Sequence, residues 1–179
     1  NIYFPVIERI LKEEEMPDDL KYLALQESAL IPDAVSSSNA VGFWQFKKET
    51  AEDYGLTIND KIDERKNIVS STRAASRYIK NSNFLFENWI FSIYSYYQGL
   101  NGAKAVTDPK LYGSKRMSID KDTHWYIIKF LGYKVAFEYY VDKKKYNENY
   151  SIYDNRSFSS IRELSKNLYE IIKHMPKKS

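Results

Sequence analysis

Residues 23–32 read LALQESALIP and place a glutamate on the apolar side of a predicted helix. Leu20, Leu23 and Ala24 precede Glu27 at the spacing of one helix face. A carboxyl group on such a face loses solvation, so we expect its pKa to be raised and its proton to be retained near neutral pH. This is the property that a general acid requires.

A structural role for Glu27 is the competing interpretation. No lysine or arginine stands three or four positions away, so an ion pair within the helix is excluded. The carboxylate would then lie at the edge of the apolar face or pair with a distant arginine. Arg65, Arg73 and Arg77 are the candidates.

The composition is that of a globular chain with one domain and at most a small appendage. Apolar residues make up 43% of the 179 residues and charged residues 28%. Basic residues exceed acidic ones by only 27 to 24, which gives no reason to expect a nucleic-acid partner. The absence of cysteine excludes disulfides and thiol catalysis. No apolar run is long enough for a membrane helix, and the N-terminal stretch lacks the character of a signal peptide.

The spacing of apolar residues and the positions of proline predict an all-α fold. Pro17 and Pro32 bracket the helix that carries Glu27, since proline suits a first helical position and disfavours helix in the residue before it. Residues 31–44, IPDAVSSSNAVGFW, are irregular and predict a functional loop. The other helical segments are YFPVIERILKEEE, KKETAEDYG, ERKNIVSSTRAASRYIKNS, FENWIFSIYSYYQG and DTHWYIIKFLGYKVAFEYY.

Residues 22–46, YLALQESALIPDAVSSSNAVGFWQF, resemble the glutamate–serine and glycine–aromatic–glutamine motifs of the lytic transglycosylases, in particular their membrane-bound D type. Further stretches continue the resemblance in order over about residues 2–140: AEDYGL, DKIDERKNIVSSTRAASRYIKN, WIFSIYSYYQGLNGAKA and DTHWYIIKFLGYK. The resemblance implies a lysozyme-like helical domain with a substrate groove over residues 1–140. Residues 141–179 are expected to form a linker and a small helical tail, similar to a partial LysM segment.

The resemblance also implies roles for individual residues. Glu27 would be the single catalytic acid and base, and Ser28 and Gly42 would support the motif loop. Ser36 would lie near the sugar where an anhydro bond forms, and Gln45 would bind substrate.

Aromatic residues complete the implied groove. Tyr96 matches a tyrosine whose hydroxyl orients the glutamate, and Tyr126 matches a later tyrosine near the cleft. Tyr97 stands where the family has asparagine, and Ser95 where it has alanine. Tyr97 is expected to line the groove, and Trp44 either lines it or lies in the core.

Two other tryptophans, Trp89 and Trp125, are assigned to the core because they lie on apolar helix faces.

The function implied by the resemblance is cleavage of the β-1,4 bond between N-acetylmuramic acid and N-acetylglucosamine in peptidoglycan, which leaves 1,6-anhydromuramyl ends. Peptidoglycan glycan strands would be the partner and the periplasm the expected compartment, with any membrane association through an anchor upstream of this chain. Neither a cofactor nor a metal is expected, because His124 and His174 stand apart from any carboxylate cluster. The oligomeric state is not predicted.

Three alternatives remain open. Tyr97 and Ser95 permit an inactive peptidoglycan-binding protein of the same fold. A second carboxylate near Glu27 would instead favour a lysozyme-type hydrolase, and the nearest candidates are Asp33, Glu49 and Asp53. Composition alone also permits a structural helical bundle.

Overall fold

The computed structural model describes residues 2–114 and 122–148, with side chains described to residue 138. The chain divides into two compact units between residues 117 and 118. The helices of the first unit are α1 (Phe4–Glu13), α2 (Lys21–Ser28), α3 (Lys48–Asp53), α4 (Ile68–Phe86) and α5 (Trp89–Val106). The second unit contains α6 (Trp125–Glu148).

The all-α prediction is confirmed. Short 3-10 turns occur at Asp18–Leu20, Glu64–Lys66 and Pro109–Leu111. In the described residues, β pairing is limited to isolated bridges, two of which close the loop between α2 and α3. None of the described helices is long and apolar enough to span a membrane.

Helix α4 forms the centre of the first unit and packs against both α1 and α5. Small buried residues such as Ala74 and Ala75 let the neighbouring helices approach closely. From α1, Ile7, Ile10 and Leu11 are fully buried. This packing buries apolar surface, which stabilises the unit.

Asparagine side chains begin both long helices. Asn67 accepts hydrogen bonds from the amides of Val69 and Ser70, and Asn88 does the same at the start of α5. Glu87 ends α4 in the left-handed conformation, so α4 and α5 are joined by only two residues. The two helices therefore form a tight antiparallel pair.

The helix that carries Glu27 ends earlier than predicted. Ala29 and Leu30 adopt positive φ values of 53° and 60°, which terminate α2 at Ser28. The Ser28 hydroxyl accepts a hydrogen bond from the Leu30 amide. Termination therefore results from this left-handed pair, and the expectation that Pro32 ends the helix was wrong.

Helix α5 is interrupted within its length. Gly99 has φ 73° and ψ 162°, which breaks the helix three residues after Tyr96. The sequence interpretation ended the helix at this glycine, whereas helical structure resumes and continues to Val106.

Helix α6 continues through residues 141–148, which had been assigned to a linker. The linker prediction is wrong for these residues. The predicted tail helix and LysM-like segment, residues 149–179, lie outside the described residues. The assignment of residues 1–140 and 141–179 to separate regions stays a prediction.

Candidate active site

Glu27 occupies the last turn of α2 and is half-buried. Leu20, Leu23 and Ala24, which share its helix face, are buried. The carboxyl group thus projects from a buried face at the point where the helix gives way to the motif loop, residues 29–46.

The arginines considered as partners of Glu27 are engaged elsewhere. Arg65 forms a two-point contact with Asp63, with N···O distances of 2.9 and 2.7 Å. Arg73 pairs with Glu13, the last residue of α1, and with Glu14, which follows it. Arg77 donates to a backbone carbonyl, that of residue 54, at 3.3 Å. Pairing of Glu27 with one of these arginines stays a prediction.

Tyr96 lies beside Glu27. Burial raises the pKa of Tyr96 well above its ordinary value, and the negative charge of Glu27 raises it further. The Tyr96 hydroxyl donates to the backbone carbonyl of Trp44 at 2.8 Å. Its single proton is thus directed to the motif loop, and its oxygen presents lone pairs to other neighbours.

An aromatic cluster holds the Tyr96 ring. Tyr78 and Phe46 contact it with ring centroids 5.2 and 6.0 Å away, in edge-to-face geometry. Tyr78 also donates from its hydroxyl to the carbonyl of Ser95, one residue before Tyr96, at 3.2 Å.

Ser28 ties the end of α2 to the motif loop. Its buried hydroxyl donates to the Phe43 carbonyl at 2.8 Å and lies 3.3 Å from the Ala24 carbonyl. Glu27 is the preceding residue, so the same contact sets the spacing between the carboxyl-bearing turn and the loop.

Three carbonyls within four residues of the motif loop accept hydrogen bonds from side chains of different elements. Phe43 accepts from Ser28 of α2, and Trp44 from Tyr96 of α5. Phe46 accepts from Arg65, in the 3-10 turn before α4, at 3.3 Å. The stretch around Gln45 is therefore held from three directions.

Gly42 is required by the packing of this loop. Its φ is +85°, and a Cβ atom there would lie 2.0 Å from the carbonyl oxygen of Arg65. Its amide donates to the Ala34 carbonyl at 2.9 Å, which closes the loop on itself. Only glycine permits both the conformation and the close approach.

Gln45 also has a positive φ, of 50°, and is half-buried. Its side-chain nitrogen donates to the carbonyls of Ala34 and Gly42 at 3.1 and 3.0 Å. Because both neighbours are acceptors, the amide orientation is determined. The oxygen Oε1 is left as an acceptor.

The Ser36 side chain makes its contacts within the motif loop. Its hydroxyl accepts from the Ala40 amide at 3.1 Å and lies 3.1 Å from the Ser38 hydroxyl. The residue is half-buried, and these contacts place it in the turn that leads to Gly42.

The structure selects one of the two placements considered for Trp44 and corrects the placement of Trp89. The Trp44 side chain is 0% exposed and donates from Nε1 to Thr72 at 2.9 Å, so its ring is a core group and cannot line a groove. Trp89 is 36% exposed, and its assignment to the core was wrong. Trp89 is the first residue of α5, where the apolar face of the helix begins. Trp125 is half-buried.

Two residues depart from the family pattern, one in the interior and one at the surface. Ser95 is fully buried, and its hydroxyl donates to the Ser92 carbonyl at 2.7 Å. Tyr97 is 44% exposed, and its place in a groove stays a prediction. Tyr126 belongs to the second unit and is buried in α6.

The candidate second carboxylates lie on the surface. Asp33 has a side chain that is 75% exposed and pairs with Lys66 at 3.0 Å. Glu49 and Asp53 are exposed on α3. Within residues 2–114 and 122–148, no group of three His, Cys, Asp or Glu side chains could hold a metal ion.

Sequence reasoning missed the importance of Arg65 and Thr72. Arg65 had been considered only as a partner of Glu27, although an aspartate two residues earlier signals a local ion pair. Thr72 lies in a predicted helix, and its spacing gives no indication that it accepts from a tryptophan of a distant loop.

Comparison with known proteins agrees with this arrangement. Residues 4–112 match the Transglycosylase SLT domain family, which is more than half of the chain. The chain belongs to this family. It is 32% identical over 127 residues to the membrane-bound lytic murein transglycosylase D of Escherichia coli K12 and to the protein of the same name from Escherichia coli O6:H1. The match covers 68% of this SLT-family chain and 28% of each relative, so the chain spans little more than a quarter of their length.

Proposed function

We propose that this chain carries the catalytic domain of a lytic transglycosylase that cleaves the β-1,4 bond between N-acetylmuramic acid and N-acetylglucosamine in peptidoglycan. The observation that supports it best is the position of Glu27 in the last turn of α2, within electrostatic range of the half-buried Tyr96, in a chain of the SLT family. The relatives are named for the same reaction class on murein, which is peptidoglycan.

Glu27 supplies the proton in the first step. The protonated carboxyl transfers it to the glycosidic oxygen, the bond from C1 to that oxygen breaks, and the departing sugar leaves as an alcohol. The N-acetyl group of the muramic acid can stabilise the developing positive charge at C1.

The same group then acts as base. The Glu27 carboxylate removes the proton of the C6 hydroxyl, whose oxygen bonds to C1 and closes the 1,6-anhydro ring. The carboxyl group is thereby restored and no water is consumed.

The burial around Glu27 supports its acidic form at the start of the cycle. Leu20, Leu23 and Ala24, which share its helix face, are buried. A carboxyl group on such a face loses solvation, which favours the neutral form.

The surface position of the other carboxylates favours this route over hydrolysis. A two-carboxylate glycosidase needs its acidic groups about 5 to 9.5 Å apart across the substrate. Asp33 is exposed and turned to Lys66, and Glu49 and Asp53 lie on the surface of α3.

Gln45 and Tyr97 are the proposed sugar-binding residues of this unit. The amide oxygen of Gln45 can accept from a sugar hydroxyl, and the exposed ring of Tyr97 can stack on a sugar face. Because peptidoglycan is the substrate, we place the protein in the cell envelope, on its periplasmic side.

A Glu27→Gln variant tests the proposal. Purified peptidoglycan sacculi are incubated with the wild type and the variant, and soluble products are identified by mass spectrometry. The wild type is expected to release muropeptides with anhydro ends, and the variant to release none while still sedimenting with the sacculi. Glu49→Gln, at an exposed glutamate of α3, is the matched control and should retain activity.

The product distribution distinguishes the alternatives. Reducing ends in place of anhydro ends would identify a hydrolase, and Asp33→Asn would then be the next variant. Binding without release by the wild type would identify a peptidoglycan-binding protein. Either result contradicts the proposed reaction.

A further inference from the structure

The turn of residues 63–66 lies against the motif loop at three points. The Arg65 side chain donates to the Phe46 carbonyl at 3.3 Å. The Arg65 backbone carbonyl lies so close to Gly42 that a Cβ atom would not fit. Lys66 pairs with Asp33 at 3.0 Å. The turn therefore braces both ends of the loop that carries Gln45.

Arg65 is itself held rigidly. The residue is 8% exposed, and Asp63 accepts from both Nε and Nη2. This fork orients the third nitrogen, Nη1, toward Phe46, which a lysine cannot reproduce because its ammonium lacks the planar geometry. Glu64 fastens the turn further by accepting from the Thr57 amide and the Ser70 hydroxyl.

Gln45 has separate supports on its two sides. Before it, Phe43 is held by Ser28 and the Trp44 ring by Thr72. After it, the Phe46 carbonyl accepts from Arg65 and from the Val41 amide. Arg65 is thus the side chain that anchors the loop after Gln45, whereas the hydroxyls of Ser28 and Tyr96 bond before it, at Phe43 and Trp44.

We propose that Arg65 is a positioning residue for substrate binding, which acts by fixing the backbone on which Gln45 presents its amide oxygen to the glycan. The inference rests on the proposed function of the same site. It assigns Arg65 an effect on substrate affinity and leaves proton transfer to Glu27.

Steady-state kinetics on soluble glycan strands test this role. Arg65→Lys keeps the positive charge but loses the fork, so KM should rise by up to about tenfold, as expected if the glycan loses one neutral hydrogen bond from Gln45. The value of kcat should change little, because the hydrogen bonds of Ser28 and Tyr96 to the loop remain. The Val41 contact to Phe46 remains, so the variant should fold.

Arg77→Lys is the matched control. Arg77 also donates to a backbone carbonyl at 3.3 Å, but at residue 54, away from the motif loop. Its KM should equal that of the wild type. Thermal unfolding of both variants separates a general loss of stability from a specific loss of affinity.

A double-mutant cycle with Gln45→Ala identifies the route of the effect. If Arg65 acts through Gln45, the increase in KM caused by Arg65→Lys should largely disappear in the Gln45→Ala background. An unchanged KM, a fall in kcat alone, or an equal effect in both backgrounds would overturn the inference.

A sedimentation assay keeps this test separate from the proposed reaction. If the wild type released no anhydro products, the reaction would be refuted, and binding of sacculi by wild type and Arg65→Lys would still be compared. Weaker binding by Arg65→Lys would support the positioning role. Equal binding, or no binding by the wild type, would refute it as well.

Discussion

The motif loop and the contact between α1 and α4 are held together in different ways. In the loop, three neighbouring carbonyls accept hydrogen bonds from Ser28, Tyr96 and Arg65, side chains that are largely enclosed. Between α1 and α4, apolar side chains fill the interior, and ion pairs such as Arg73 with Glu13 lie at the rim.

The two kinds of contact contribute differently. Hydrogen bonds fix the geometry of the loop, and apolar burial stabilises the helix contact. Apolar burial is non-directional, so the helix contact tolerates small adjustments without loss of its contribution. A hydrogen bond to a buried carbonyl is directional, and loss of its donor leaves a polar group unsatisfied. We therefore expect substitutions in the loop to alter function and stability together, and substitutions at the rim of the helix contact to have small effects.

Gly42→Ala should have the largest effect. The added methyl group collides with backbone, which cannot rotate away, and the residue would also keep a positive φ. We expect the free energy of unfolding to fall by about 3 kcal/mol or more, with loss of glycan cleavage. Urea unfolding and product release measure the two effects.

Gly99→Ala is the control for this prediction. Gly99 has a positive φ of 73°, but a Cβ atom there meets nothing within 4 Å. Its cost should be limited to backbone strain, about 1 to 3 kcal/mol. Equal destabilisation by the two variants would show that the contact with Arg65 contributes nothing.

Ser28→Ala should rank second. It removes the donor to Phe43 and the acceptor for the Leu30 amide, both buried. We expect a loss of about 1 to 3 kcal/mol in the free energy of unfolding and a lower kcat. Ser76→Ala is matched to it, because the Ser76 hydroxyl is equally buried but bonds only within its own helix. If both variants kept full activity, the coupling of α2 to the loop would be refuted.

The ionisation of Asp63 makes the stability of the folded state depend on pH. The hydrogen bonds from Arg65 hold the pKa of Asp63 below its ordinary value. Its ionised form therefore stabilises the folded state at neutral pH, and this contribution is lost as the pH falls below about 4. In urea unfolding at several pH values, Asp63→Asn should be less stable than the wild type at pH 7 and the gap should narrow in acid. A constant gap would contradict this assignment.

Arg73→Gln should have the smallest effect. The ion pairs of Arg73 with Glu13 and Glu14 lie at the exposed rim of the helix contact, where solvent and salt screen them. The change in unfolding free energy should be smaller than that of Ser28→Ala and should diminish further at high salt. Glycan cleavage should be unaffected.

The helical fold could be predicted because it depends on periodicity and on caps encoded locally. The apolar spacing around Leu23 and the asparagine at Asn67 each act within a few residues. Positions that depend on distant partners were harder. Nothing in the local sequence shows that Ala29 and Leu30 would turn left-handed, since Ser28 stabilises that turn through a bond to residue 43.

The candidate site was proposed from residue types, and its geometry was less accessible to sequence reasoning. Family resemblance picked out Glu27, Gln45 and Tyr96, and the structure brings Glu27 and Tyr96 together. It could not reveal that Trp44 would be buried, because loop residues carry no period from which a buried face could be inferred. Nor could it reveal that Arg65 crosses to Phe46, since that contact joins residues nineteen positions apart.

The spacing of the three accepting carbonyls has a consequence for protein engineering. An extra residue anywhere between Phe43 and Phe46 would shift these carbonyls relative to their hydrogen-bond donors, so insertion there should not be tolerated. The serine-rich tip at residues 37–39 is exposed and lies outside the anchored stretch. A short peptide tag or a fluorescent label is best introduced at that tip.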